Sequence, residues 1–405
     1  MTNSDTRRPD LIWIVAALGL TQIIGYGTLY YSFAIMAPAV SASFQVETAT
    51  LYAIFSAGLL LGGFASPYLG RLMDRHGAPR LMALGSLLAG LGLGGLSVAP
   101  NLFVFGALFC LLELIGVLVL YSAAFPTLAQ FDGVNARRSI THLTLIAGFA
   151  STVFWPLSGW ALAVFDWRTT YAGFALLHLL LALPLHLWLT RRPSGKPSSA
   201  PAAQPLTQSL SDRQKLIAFW CVAISFALSG ALTSALNVHL VPVLQTMELG
   251  TAAYLISMLM GPAQVAVRLT DALFLRGVHP ATLGLISSGA LCLAVLLLIS
   301  GMPAAIAGAS FALLYGAGQG LGTIVAGVLP LALFGASGFG ARLGRLAAIR
   351  TLLSAGAPFV FAFSLQAIAA PATLSLVLVM GVAALAPLLF LRFGLLGRTA
   401  ALRPS

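Results

Sequence analysis

Charge is what this sequence has least of. Only 8% of its 405 residues are Asp, Glu, Lys or Arg, and 59% are apolar; soluble chains carry about 25% charged and 45–50% apolar residues. A water-soluble enzyme is excluded, and so is disorder, which needs charge in place of bulky apolar side chains. Cysteine is nearly absent too. Cys110, Cys221 and Cys292 lie far apart in apolar runs, so neither a disulfide framework nor a metal-ligand spacing can be assembled. There is no phosphate-binding Gly-Lys-Ser/Thr loop, which excludes ATP as the energy source. No Ser-His-Asp grouping falls at a common membrane depth. Acidic residues number ten against 21 basic ones, a net charge of +11. In a soluble chain that balance points to nucleic acid; in a membrane protein the loops on the cytoplasmic side collect Lys and Arg. No nucleic-acid partner, cofactor or metal is expected.

What the sequence has is long apolar runs. They exceed ~20 residues, the length of a membrane-crossing helix, and lack the ~10-residue alternation of barrel strands. Short polar breaks divide them into twelve spans, at 11–39, 49–69, 80–99, 102–130, 139–164, 169–190, 214–245, 251–275, 281–300, 304–335, 341–369 and 372–394. The run after residues 1–10 is longer than a 7–15-residue signal core and reads as a retained first helix. Arg191 to Asp212 is rich in Pro, Ser and Ala and cannot bury a core. The chain is therefore expected to hold an N-terminal six-helix bundle (1–190), a cytoplasmic linker (191–213) and a C-terminal six-helix bundle (214–405). This is an all-α membrane protein, with twelve transmembrane helices in two pseudo-symmetric halves. If the N-terminus is inside, every Lys and Arg but Arg168 falls on the inner side. That asymmetry puts both termini in the cytoplasm and the protein, multi-pass, in the inner or plasma membrane.

The loop after the second span, Gly70-Arg71-Leu72-Met73-Asp74-Arg75-His76-Gly77, resembles the signature loop of the major facilitator superfamily. Arg268 to Pro280 repeats it faintly after the eighth span. Trp155-Pro156-Leu157-Ser158-Gly159 is similar to the family's Gly-Pro motif in helix 5, and Asp166-Trp167-Arg168 to its Gly-Trp-Arg. The fourth span lacks the arginine motif of proton-driven sugar and drug transporters and carries Glu113 instead. The resemblance implies a monomeric secondary transporter working by alternating access. It also implies that Gly70, Arg71, Asp74, Arg75 and Gly77 form a gate with Arg342 or Arg345 of helix 11.

Gly27-Thr28-Leu29-Tyr30-Tyr31-Ser32-Phe33, followed by Pro38, resembles the first helix of the monocarboxylate and oxalate–formate branch. The acidic residue that opens that motif in animal relatives is absent, with Gln22 and Gly25 nearby. The branch's helix-8 arginine, which holds the substrate anion, falls on Arg268, although the flanking Gly and Ser-Asp of the motif do not match.

Read residue by residue, Glu113 lies deep in an apolar span, where an ionised carboxylate costs several kcal/mol unless paired or hydrated. A proton-carrying acid or an arginine partner is expected, with Tyr121 on the same face at i+8; the alternative is a structural acid bridging helices. Arg268 lies nine residues before Gly277, about 13 Å along a helix. It is a carboxylate ligand, an interfacial anchor or an i,i+3 partner of Asp271. Arg350 lies at comparable depth, as a substrate contact or part of the gate. Gln22, Tyr26, Tyr30 and Phe33 form one stripe, whose tyrosine hydroxyls should face a cavity or the membrane interface; Tyr26 and Tyr30 are pore-lining candidates, with the interfacial belt as the alternative. Asn237, Gln319, His239 and His142 are weaker polar candidates. The glycine-rich Gly316–Gly322 and Gly90–Gly95 follow no strand and are read as helix-packing surfaces. The expected function is proton symport of a small organic anion, a monocarboxylate. The alternatives are a proton-driven drug or metabolite exporter and, from another class, a membrane-embedded enzyme or sensor.

Overall fold

A computed structural model describes residues 8–133, 136–192, 206, 210–246, 249, 252–275, 277–300, 302–368 and 370–396. The helices are α1 (Leu11–Phe44), α2 (Thr48–His76), α3 (Ala78–Ser97), α4 (Leu102–Asp132), α5 (Ala136–Val164) and α6 (Trp167–Thr190). They continue with α7 (Asp212–Thr246), α8 (Ala252–Met258) and α9 (Met260–Phe274). The last are α10 (Pro280–Leu298), α11 (Ala304–Phe334), α12 (Phe339–Ala367) and α13 (Ala370–Leu395). Arg7, Lys196, Arg276, Arg398 and Arg403 of the charge count lie outside the described residues, as do 193–205 and 207–209 of the expected linker.

Among the described residues, eleven of these helices are long and apolar enough to cross a membrane. The expected span 251–275 is not one of them, because it is split into α8 and α9 at Leu259. Gly261-Pro262 gives the reason: proline lacks an N–H, and its ring collides with the carbonyl four residues back, at Met258. The second span runs past its expected end at residue 69, so most of the signature loop is helix. No proline follows Pro67 before Gly77, whose φ of +90° ends α2 in a conformation only glycine adopts at little cost.

Contacts divide the chain into two compact units, Met1–Ala203 with Ala336–Ala348, and Gln204–Gly335 with Ile349–Ser405. In the first, Phe33, Phe105, Phe109, Trp167, Tyr171 and Phe174 build an aromatic core. In the second, Leu236, Leu240, Val295, Phe311, Tyr315 and Leu374 are central. Helix ends explain one motif. Asp166 caps α6 by accepting from Thr169 N at 2.7 Å, and this exposed carboxyl is held below its usual pKa by that backbone hydrogen bond. Trp167 is buried. Arg168 Nη1 donates to Ser97 O, at the end of α3, and to Ala99 O just beyond it, at 3.2 and 2.8 Å.

Three irregularities shape the first unit. α1 widens to a π-turn at Gly27–Tyr31 and α6 at His178–Ala182. The two face each other through a 2.8 Å hydrogen bond between Thr28 Oγ1 and His178 Nε2. The third is at Leu120, where extended backbone (φ −87°, ψ −166°) interrupts α4. An interruption strands carbonyls that need donors in apolar surroundings. Val117 O accepts from Ser122 Oγ at 2.7 Å, and Val119 O from Gln22 Nε2 at 2.7 Å.

Candidate functional site

In the second unit, α11 approaches α9 so closely that only glycine fits. A Cβ on Gly316 would lie 2.5 Å from Met260 O, and one on Gly320 2.8 Å from Gln264 O. The glycine-rich run is thus a packing surface, as its setting in an apolar span implied. This approach brings Gln264 and Arg268 of α9 against Gln319 and Thr323 of α11.

Arg268 is 5% exposed. Its Nη2 donates to Gln264 Oε1 at 3.4 Å and Thr323 Oγ1 at 3.5 Å, while Nε has no hydrogen-bond partner. Among the described residues, all of its acceptors are neutral oxygens; neither bond goes to Asp271, so the i,i+3 pairing weighed for it is not formed. Gln264 Nε2 donates to Gln319 Oε1 at 3.5 Å, and Gln319 Nε2 donates to Asn237 Oδ1 at 2.9 Å. The Tyr315 hydroxyl lies 3.1 Å from Asn237 Oδ1 and 3.0 Å from Thr233 O. Arg268 can only donate, so it fixes the polarity of the ladder: each amide turns its oxygen towards the arginine and its NH2 away. Asn237 stands at the exposed end.

Arg350 is exposed, and its stem lies over Gly230 of α7, where a Cβ would come 2.7 Å from its Cγ. Gly230, Thr233 and Asn237 share one face at i, i+3 and i+7, so Arg350 rests on the stripe that ends the ladder. Three of the sequence candidates, Arg268, Gln319 and Asn237, are joined, and Arg350 lies on the same helix face. Gln264, Thr323 and Tyr315 were missed, although Gln264 is four residues from Arg268 and Thr323 four from Gln319. His239 has another role, with Nε2 3.0 Å from Pro358 O and its ring stacked on Phe361. His142 sits half-buried on α5.

In the first unit, Glu113 is half-buried on α4 against a glycine face of α2. A Cβ on Gly58 would lie 2.8 Å from Glu113 Cγ, and one on Gly62 3.0 Å from Glu113 O. Its carboxylate makes neither a hydrogen bond nor an ion pair with a described residue. Tyr121 does not continue its face, as expected for an unbroken helix, because the interruption at Leu120 intervenes. Tyr121 packs instead on Tyr26 and Phe125, with ring centroids 4.8 Å away in each case. The stripe expected on α1 is also re-registered. A π-turn bonds i to i+5 and widens the helix; here Tyr26 meets Tyr31 (6.4 Å), and Tyr31 meets Trp155 of α5 (5.9 Å). Tyr30, about half exposed, packs edge-on against Tyr31 (5.4 Å) and beside Phe55 (5.7 Å). Tyr31 is the aromatic residue that a 3.6-residue period along α1 misses.

Asp74 accepts two backbone hydrogen bonds at the start of α12, from Gly340 N at 2.9 Å and Ala341 N at 2.8 Å. The carboxylate thereby satisfies first-turn N–H groups and meets the positive end of the helix dipole. Arg342, expected as its partner, sends Nη1 to Ser337 O at 2.6 Å; Arg71, Arg75 and Arg345 are exposed. Gly70 is required by contact, since a Cβ there would sit 2.2 Å from Gly340 O. Gln130, unnoticed in the sequence, braces the turn at Gly77 by accepting from Ala78 N at 3.0 Å.

The sequence matches the Major Facilitator Superfamily profile over residues 18–329. No curated protein sequence matches the chain. Solved structures do. The proton:xylose symporter XylE, bound to 6-bromo-6-deoxy-D-glucose, has 13% identity and a TM-score of 0.69, with 95% of each chain covered. FucP in the outward conformation has 14% identity and a TM-score of 0.69, covering 93% of this chain and 98% of that one. The human organic anion transporter MFSD10 has 17% identity and a TM-score of 0.68, covering 96% and 100%. At such identities the likeness is one of fold.

Proposed function

This chain belongs to the Major Facilitator Superfamily, and from that premise we propose that it carries a small organic anion, a monocarboxylate, together with a proton. The protein is a multi-pass membrane transporter rather than an enzyme. The fold does not select a cargo, since its structural neighbours include sugar and organic-anion transporters.

The observation that carries the anion is Arg268. A guanidinium whose hydrogen-bond acceptors are all neutral oxygens presents a planar fork that matches a carboxylate. The Gln264–Gln319–Asn237 ladder holds that fork in place without neutralising it. A carboxylate arriving at Arg268 therefore exchanges two long hydrogen bonds for short charge-assisted ones. Glu113 takes the proton in this reading: it sits in an apolar helix with no described partner, so protonation is the way to lower its burial cost. The resemblance of the first helix to the monocarboxylate and oxalate–formate branch agrees with this cargo. Release of the Asp74 cap is a step of the cycle, both termini face the cytoplasm, and the working unit is the monomer.

The test is a panel of mono- and dicarboxylates, sugars and cationic drugs against purified protein, read as thermal stabilisation. Uptake into proteoliposomes with and without a pH difference follows. Stabilisation confined to carboxylates and accumulation driven by a pH gradient are expected; stabilisation by sugars or cations alone refutes the proposal.

A further inference from the structure

A second recess lies on the second unit, apart from the arginine ladder. It has a volume of about 690 Å³ and runs between the first half of α7 and the end of α13. Its walls are apolar: Leu216, Trp220 and Ile224 on α7, Ala383 and Phe390 on α13. Leu216, Trp220 and Phe390 are each about half exposed on that surface. The small residues Ala383 and Ala386 on one side, opposite large ones on the other, leave a channel instead of closed helix packing.

One charge lines it. Arg213 stands at the α7 end, in a first turn that also holds Asp212 and Lys215. Lys215 Nζ pairs with Asp212 Oδ1 at 3.2 Å, so the only carboxylate of that turn is engaged. Arg213 is exposed and, among the described residues, has no hydrogen-bond or ion-pair partner.

We propose that this groove binds one anionic phospholipid, with an acyl chain along Leu216, Trp220, Ile224, Ala383 and Phe390 and the phosphate on Arg213. In a membrane-spanning protein, an open apolar channel on a helix surface is filled by hydrocarbon. A free guanidinium at its end adds charge complementarity to a lipid phosphate, and Trp220, two turns further along α7, adds apolar wall for the acyl chain. The inference is independent of which substrate is transported.

Native mass spectrometry of the full chain, titrated with phosphatidylglycerol and with phosphatidylcholine of the same acyl chains, tests it. Wild type is expected to hold the first phosphatidylglycerol about fivefold more tightly, the factor that about 1 kcal/mol per surface cation gives. Arg213→Gln should abolish that preference and leave phosphatidylcholine binding unchanged. Lys215→Gln should keep it, because Lys215 is already paired. Ala383→Trp, which fills the channel, should weaken the first site for both lipids, with melting curves confirming that each variant is folded. Equal affinity for the two lipids in wild type, a preference that survives Arg213→Gln, or unchanged binding in folded Ala383→Trp overturns the proposal.

Discussion

Replacing Arg268 separates a ligand-holding guanidinium from a structural one, because the two roles predict opposite changes in stability. The side chain is buried, and its two hydrogen bonds, at 3.4 and 3.5 Å, are at the long end of useful geometry. Neutral acceptors at that range return little of the several kcal/mol that desolvating a cation costs. Arg268→Met removes the cation and leaves Gln264 Oε1 short of a donor, a cost of about 1–3 kcal/mol. The first quantity is the larger, so the empty variant should melt a few degrees above wild type while losing carboxylate binding. Arg268→Lys keeps the charge and loses the fork. Forfeiting one charge-assisted hydrogen bond costs about 1.5–3 kcal/mol, or roughly 10–150-fold in Kd. Calorimetric titration of the best carboxylate from the screen, with melting curves of the empty proteins, reads both quantities. If Arg268→Met melts below wild type and Arg268→Lys binds within twofold of it, Arg268 is an anchor and the reasoning fails.

Glu113→Gln mimics the protonated acid, so it should still bind and exchange substrate but not accumulate it under an imposed pH difference. Wild-type pH-driven accumulation in proteoliposomes would leave Glu113 a structural acid. Asp74→Asn places an NH2 against one of two backbone donors and should slow transport severalfold at unchanged substrate affinity; equal loss of both removes the gating role. Gly70→Ala forces a methyl to within 2.2 Å of Gly340 O, so it should impair transport or stability more than Ala does at Gly173, where a Cβ meets nothing within 4 Å. Paired uptake and melting measurements compare the two. Asp166→Ala should lower the melting temperature at neutral pH. Because the folded carboxyl has a depressed pKa, its contribution is present above the unfolded value of ~3.9 and fades as the pH falls through the folded one. The two proteins should therefore converge in acid.

Much of this protein was written locally. Apolar runs of membrane length, the polar stretch after Arg191 and the Gly70–Gly77 motif determine an all-helical membrane transporter, since these follow from composition and chain-neighbour chemistry. Arg268 and Glu113 stood out because a charge in an apolar span needs a reason. What the sequence left open concerns residues distant along the chain. Gln264, Thr323 and Tyr315 gain meaning only because Gly316 and Gly320 let α11 close on α9. The π-turn at Gly27–Tyr31 brings Tyr31 against Tyr26 and Trp155, and the interruption at Leu120 removes Tyr121 from the face of Glu113. No local signal marks either, because each is held by distant partners: His178 against Thr28 and Gln22 beneath Val119. Asp74 shows the same division. Its motif marked it as important, but its partners turned out to be two backbone amides at a helix start 266 and 267 residues away. Backbone N–H groups are identical at every position but proline, so only tertiary packing decides which of them a carboxylate meets.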